Sequence, residues 1–298
     1  MSGQSSRFSL LNKKRLFALA AIFLLSGIGA VFAIGWALAE PVQISVGKPP
    51  ADLGAEAVEF NSDSGASVHA WWCPLAKTQC VVVLLPGIRA NRLSMVERAQ
   101  FLHRAGYSVL LIDFQATGET KGDHITFGWK ESRDVLAAIK FVHEVSATDC
   151  VTIIGSSLGG VATLLATPPL RVDAIVLEEV YPTIEIATRN RMENYLGTFG
   201  RTLTPLLLNQ LQWRLGISAS QLRPIDHVGN VTCSIFILGG EKDRNTRPVD
   251  TQMLFERARA PKQLWLVPNA GHVDLHRAAR EEYEKRVLAF LAQVPKSP

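Results

Sequence analysis

Three patterns of apolar and polar positions divide the chain. The first is an uninterrupted run. From Leu16 to Ala39 no charged residue occurs over 24 positions, directly after Lys13-Lys14-Arg15. A helix of that length reaches ~36 Å, enough to cross a hydrocarbon core of ~30 Å with some tilt. The second pattern is alternation. Apolar stretches at 56–61 and 67–73 are joined by the turn residues Asp63-Ser64-Gly65 and predict an antiparallel hairpin. The third is a series of short, continuously apolar runs separated by helical spacing. Runs at 80–85, 107–113, 150–155, 172–178, 233–238 and 263–267 alternate with helical patterns at 95–105, 130–146, 158–166, 248–259 and 276–293. Strands buried on both faces read this way, so the fold class is α/β with a mostly parallel central sheet, flanking helices and the hairpin at one edge.

Two stretches fall outside the alternation. Residues 40–54, with Pro41, Pro49, Pro50 and Gly54, read as a linker. Residues 181–230 separate two strands by about fifty positions, too many for a structureless loop, and predict a helical insertion or cap. The organisation is therefore 1–39 as a cytoplasmic N-terminus with a transmembrane anchor or signal peptide, 40–54 as linker, and 55–298 as the main domain.

Charge sharpens this division. The chain carries 31 basic and 27 acidic residues for a net charge of +4. Arg7, Lys13, Lys14 and Arg15 supply the whole excess, and the rest of the chain is balanced. A nucleic-acid partner loses its support. Basic residues ahead of the apolar run place the N-terminus in the cytoplasm and the domain outside, in the periplasm if the host is bacterial. Ala37-Leu38-Ala39 has the small-x-small form of a signal cleavage site, so secretion after cleavage is the alternative.

The chemistry begins at Gly155-Ser156-Ser157-Leu158-Gly159, a G-x-S-x-G between a strand and a helix. A nucleophilic serine needs a tight strand-to-helix turn that lifts its Oγ clear of the backbone, and the flanking glycines let neighbouring chain pass close. The helix start aims the Leu158 N–H at a developing oxyanion. A base and an orienting carboxylate complete such a site. Of seven histidines, His272 follows the strand at 263–267, where sheet ligands gather. His276, one turn later, is expected at the surface. Asp243 follows the strand at 233–238, with Glu241 and Asp250 as rivals.

The order Ser157, Asp243, His272 resembles the α/β-hydrolase superfamily, and the resemblance covers residues 55–293. Leu85-Pro86-Gly87-Ile88-Arg89-Ala90-Asn91-Arg92 is similar to its oxyanion loop, and Asp113-Phe114-Gln115-Ala116-Thr117-Gly118-Glu119-Thr120 to its D-x-x-G-x-G-x-S segment. Gly128-Trp129-Lys130-Glu131 and Asp134 look like the serine-aminopeptidase-like and Bem46-like branch. The resemblance implies an α/β-hydrolase fold and a second oxyanion donor, the N–H of Ile88. Pro86 stands where the family often has His, Ala116-Thr117 replace Arg-Gly, and Thr120 replaces Ser. If the fold holds, Cys80 and Cys150 lie level on neighbouring strands, each seven residues before a site residue. They are then a disulfide pair, two buried thiols, or, for Cys80, a partner of Cys73.

The expected function is that of a membrane-tethered serine hydrolase acting on an ester or related acyl bond, with a small-molecule or lipid-like acyl substrate. The mechanism calls for no cofactor and no metal. The alternatives are a serine peptidase, with Glu185 or Glu193 in the cap holding a substrate amine, and a non-catalytic hydrolase-like binding protein. Oligomeric state has no signature in the sequence.

Overall fold

A computed structural model describes residues 4–294 apart from Ala147, Asp149 and Ala260. Residues 295–298, the end of the expected domain, lie outside the described residues, as do the side chains of Arg7 and Lys13. The elements run α1 (Gln4–Ala39), β1 (Val42–Gln43), β2 (Glu56–Asn61), β3 (Ser67–Cys73), β4 (Val81–Leu85), α2 (Val96–Arg104), β5 (Ser108–Ile112), β6 (Thr117–Gly118), α3 (Glu131–Val145), β7 (Val151–Ser156), α4 (Leu158–Leu165) and β8 (Ala174–Glu178). Then follow α5 (Ile184–Leu196), α6 (Gly200–Leu215), α7 (Pro224–His227), β9 (Ser234–Gly240), α8 (Pro248–Arg257), β10 (Lys262–Val267), α9 (Leu275–Ala278) and α10 (Arg280–Leu291).

The main sheet has the order β10-β9-β8-β7-β4-β5-β3-β2. All its pairings are parallel except β2 with β3 and β3 with β5, so the early hairpin closes one edge as expected. Each β4 residue is buried, because the pleat sends side chains alternately to two covered faces. Val82 and Leu84 meet Leu102 of α2 and Tyr283 and Phe290 of α10 on one face. Val81 and Val83 meet Val135 and Ile139 of α3 on the other. This two-faced burial is why the strand reads as a continuous apolar run.

The equal cysteine offsets have a direct counterpart. Val81 pairs with Val151, and one residue earlier Cys80 and Cys150 are joined by a disulfide with their Cα atoms 4.8 Å apart. Cys73 and Cys233 are free thiols.

Three expectations change. The last helix is not continuous over 276–293. Ala279, non-helical at φ −146°, ψ 49°, divides it into α9 and α10. His276 is not on the surface: it is 1 % exposed, stacks on Phe101 and bonds Glu284 at 2.9 Å through Nε2. The stretch 40–54 is not a free spacer. Val42 and Gln43 pair with Thr117 and Gly118, Glu119 accepts the Val46 N–H at 3.0 Å, and Leu53 is buried in the core. The segment Ala116–Thr120, which departs from the family pattern, is the part that grips this strap. Asp113 holds it by accepting the Glu119 N–H, and Arg92 pairs with both Asp113 and Glu119.

The insertion at 181–230 is helical, chiefly α5 and α6 packed on each other. The last turns of α1 pack on α6. Gln210 donates to the Val31 carbonyl at 3.2 Å, Arg214 donates to the Phe32 carbonyl at 2.9 Å, and Trp213 stacks on Phe32. At the helix end, Arg89 donates to the Ala37 carbonyl at 2.6 Å and Ile125 donates to the Ala39 carbonyl at 2.9 Å. Cations and donors there satisfy carbonyls that have no intrahelical partner and meet the negative end of the helix dipole.

Candidate active site

Because β4, β5, β7, β8, β9 and β10 are parallel, their carboxyl ends share one edge of the sheet, the edge at which open α/β sheets bind ligands. Ser157 follows β7 there at φ 46°, ψ −105°, between strand and helix α4. A non-glycine residue at positive φ is strained, and the surrounding sequence makes this turn the one available. A Cβ on Gly155 would lie 2.6 Å from the Gly160 nitrogen, and one on Gly159 would lie 2.5 Å from the Leu85 carbonyl oxygen. Neither position has room for any side chain, which is the physical content of the two glycines in the motif.

The proposed oxyanion donors flank the serine. Leu158 opens α4, so its N–H has no intrahelical acceptor. Gly87, one residue before Ile88, is so close that its Cβ would lie 3.9 Å from Ser157 Cβ. Ile88, Ser157 and Leu158 line one cavity of about 500 Å³, within the range of small-ligand sites. Its walls are mostly apolar: Phe127, Tyr181, Ile184 and Met192 from the domain and cap, and Ile34 and Leu38 from α1.

Asp243 and His272 are brought together. Asp243 is buried after β9, and its Oδ2 lies 2.7 Å from His272 Nδ1. The other carboxylate oxygen, Oδ1, accepts the N–H groups of Asn245 at 2.7 Å and Thr246 at 2.9 Å, which fixes its rotation. The rivals are engaged elsewhere. Glu241 accepts the Asn269 N–H, and Asp250 caps α8 and accepts from Asn190. Among the described hydrogen bonds none joins Ser157 Oγ to His272; such bonds tighten on substrate binding.

A fourth residue belongs to this site. Glu179 follows β8 at φ 54°, is 4 % exposed, and its Oε2 lies 3.8 Å from His272 Nδ1. Oε1 accepts the Val273 N–H at 3.0 Å. Burial, then the charge of Asp243, pushes its carboxyl up to about 9. At neutral pH Glu179 is therefore an uncharged acid, since burial and a neighbouring carboxylate both disfavour its ionised form. The sequence signal is Glu178-Glu179 at the carboxyl end of an otherwise apolar strand. Ligand atoms of Glu179, Asp243 and His272 lie within 4.8 Å of one another. A cation there would have to break the 2.7 Å Asp243–His272 bond, so the set fits a hydrogen-bonded relay better than a metal.

Glu178, the neighbour, points into a buried network. It pairs with Arg98 at 2.8 Å and accepts from Tyr283, and Arg98 also pairs with Asp274 at 2.8 Å. This network ties α2, the end of β8 and the segment after His272 together. In the cap, Glu193 is held by Arg201 and by Arg247, which pull its carboxyl down to about 2. Neither Glu185 nor Glu193 lines the cavity beside Ser157.

Comparison with known proteins agrees with this architecture. The Pyrococcus furiosus esterase Pf2001 superposes with a TM-score of 0.72 at 21 % identity, over 86 % of this chain and 98 % of that one. A structure described as a membrane phospholipase A, a bacterial virulence factor, superposes with a TM-score of 0.58 at 15 % identity, over 97 % and 99 %. In sequence, the uncharacterised Bacillus subtilis protein YqkD is 23 % identical over 220 residues, 72 % of each chain. The model of the alpha/beta hydrolase family matches residues 82–286. With that match over most of its length, and with the sheet order and strand-end loops the fold requires, the chain belongs to the alpha/beta hydrolase family.

Proposed function

We propose that the protein is a membrane-tethered serine hydrolase that cleaves an ester or related acyl bond. The reading is supported by a strained Ser157 that lines an apolar cavity and by the 2.7 Å Asp243–His272 pair, each following a parallel strand at the same edge of the sheet. In the proposed reaction His272 takes the proton of Ser157 as Oγ attacks the acyl carbonyl. Asp243 holds the imidazole in the right tautomer and stabilises its cation. The N–H groups of Ile88 and Leu158 take the oxyanion; one such donor is worth about 2.7–4 kcal/mol of barrier. His272 then protonates the leaving alkoxide, and water, deprotonated by the same histidine, releases the acid and restores Ser157.

Tethering rests on Lys14–Ala39, a helix long and apolar enough to cross a membrane. Retention rather than cleavage is favoured by how its end is held: Arg89, Ile125, Gln210 and Arg214 all bond its carbonyls. The Cys80–Cys150 disulfide suits an oxidising compartment, and so agrees with an extracytoplasmic domain. The cap does not favour the peptidase alternative, because Glu193 is held by two arginines and neither Glu185 nor Glu193 lines the cavity beside Ser157.

The test is labelling of the full chain with a serine-directed fluorophosphonate. Wild type labels; Ser157→Ala does not, and His272→Ala labels far more slowly. Labelling that persists in Ser157→Ala overturns the assignment of the nucleophile, and absence of labelling in folded wild type favours the binding-protein reading.

A further inference from the structure

The end of α1 is more than a tether. Ile34 and Leu38 form part of the wall of the cavity that contains Ser157, opposite side chains of the cap. The approach is close: a Cβ on Gly35 would lie 2.5 Å from Gln210 Oε1 on α6. A helix that only anchored the domain would have no reason to enter its active-site cavity.

Length adds a second argument. From Val31 onward one face of the helix is docked on the cap: Val31 is 3 % exposed, whereas Ile34, Trp36 and Leu38 are each at least 40 % exposed. Upstream, the described side chains from Leu16 to Ala30 are exposed or half-buried. Those 15 residues reach only ~22 Å, short of the ~30 Å hydrocarbon core. The docked turns must therefore complete the span, which draws the cap into the membrane interface. The cap carries the side chains that such a position requires. Tyr195, Phe199 and Trp213 are each at least 65 % exposed, and Trp36 of the helix is 55 % exposed. Amphipathic aromatic rings concentrate at the headgroup level of bilayers. Tyr195 and Leu196 also line the cavity, so its wall is continuous with this aromatic surface.

We infer that the cavity takes the acyl chain of a lipid directly from the adjoining leaflet, with Ile34 and Leu38 as one wall of the acyl site and the exposed cap aromatics seated in the interface. This rests on the hydrolase reading for its chemistry but on the helix–cap geometry for its substrate class. The mostly apolar lining, interrupted by Arg89, Thr188 and Arg191, limits the exposure of the chain to water during extraction.

Two experiments use the full chain in nanodiscs of palmitoyl-oleoyl phosphatidylglycerol. In the first, kcat/KM is measured on dodecanoyl and acetyl esters of one fluorogenic phenol. Leu38→Trp and Ile34→Phe, which fill the wall, lower the dodecanoyl-to-acetyl ratio by about tenfold or more. Phe23→Ala, on the exposed part of the helix, leaves it unchanged. In the second, Ser157→Ala is irradiated with a phosphatidylglycerol carrying a diazirine at the end of one acyl chain. Crosslinks are expected on the Ile34–Leu38 turn and on the cap. An unchanged ratio in both wall variants, or crosslinks confined to Leu16–Ala30, overturns the inference. Crosslinks at Ile34–Leu38 without any ester hydrolysis by wild type uphold the lipid site and overturn the hydrolase reading instead.

Discussion

The two edges of the central sheet are built on opposite terms. At the amino ends of β4 and β7 the strands are closed covalently by Cys80–Cys150, and the Val81 N–H continues the ladder to the Cys150 carbonyl. At the carboxyl ends lie all six non-glycine residues with positive φ among the described residues: Arg89, Ala116, Phe127, Ser157, Glu179 and Asn269. All but Phe127 follow β4, β5, β7, β8 or β10 directly, and Phe127, in the connection from β6 to α3, lines the cavity with Ser157. Such conformations cost of order 1–3 kcal/mol each and persist only where packing over-determines them. One edge is thus relaxed and locked, and the other is strained and carries the titratable groups. The contrast teaches where chemistry and stability separate in this molecule, and substitutions at each edge should fail in different ways.

The sharpest break is at the strained edge. Ser157→Ala should reduce ester kcat by ~10⁴-fold or more with little change in Tm; steady-state kinetics beside thermal melting checks both. Arg98→Ala attacks the buttress of the same edge and leaves Glu178 buried without its cation. It should cost about 3–5 kcal/mol in unfolding free energy, read from urea denaturation. At the relaxed edge, Cys80→Ser with Cys150→Ser opens a loop of 70 residues and should cost about 4 kcal/mol on the chain-entropy model. The kcat/KM of the folded variant should stay within about twofold of wild type, which distinguishes this edge from the other. A larger kinetic loss would show that the two edges are coupled.

A further break is pH-dependent. Glu179 is pushed up to about 9 in the folded protein, against an ordinary value of 4.5. Between those values the folded state holds a proton that the unfolded state has released, so this residue lowers stability as pH rises. Glu179→Gln keeps a neutral acceptor for Val273 and removes the titration. Its Tm should match wild type near pH 5 and exceed it increasingly toward pH 9. Equal melting curves at both ends would mean that Glu179 is ionised in the fold.

Much of this was legible in the chain. The strands announce themselves because two-faced burial forces continuous apolar runs. Ser157, Asp243 and His272 stand out because each follows such a run in a fixed order. The level placement of Cys80 and Cys150 follows from parallel register, where equal offsets stay level; the bond between them, rather than two thiols or a Cys73–Cys80 pair, is given by the structure. What was hidden depends on assembly. The pKa of Glu179 is set by burial and then by Asp243, sixty-four positions away in the chain and just past the end of the next strand. His276 reads as the exposed turn of a long helix, but the break at Ala279 turns it into the cluster of Phe101 and Tyr283. Gln210 and Arg214 look like the polar face of a cap helix, and their partners are backbone carbonyls of α1, which leave no trace in side-chain patterning.

The central claim is that the strained edge forms a covalent intermediate on Ser157. The direct measurement is peptide mass spectrometry of the enzyme quenched in acid during turnover of a slowly deacylating ester. The account predicts the acyl mass on the peptide containing Ser157 and its absence in Ser157→Ala. Turnover with no acyl mass on that peptide, or the same mass on another residue, would contradict it.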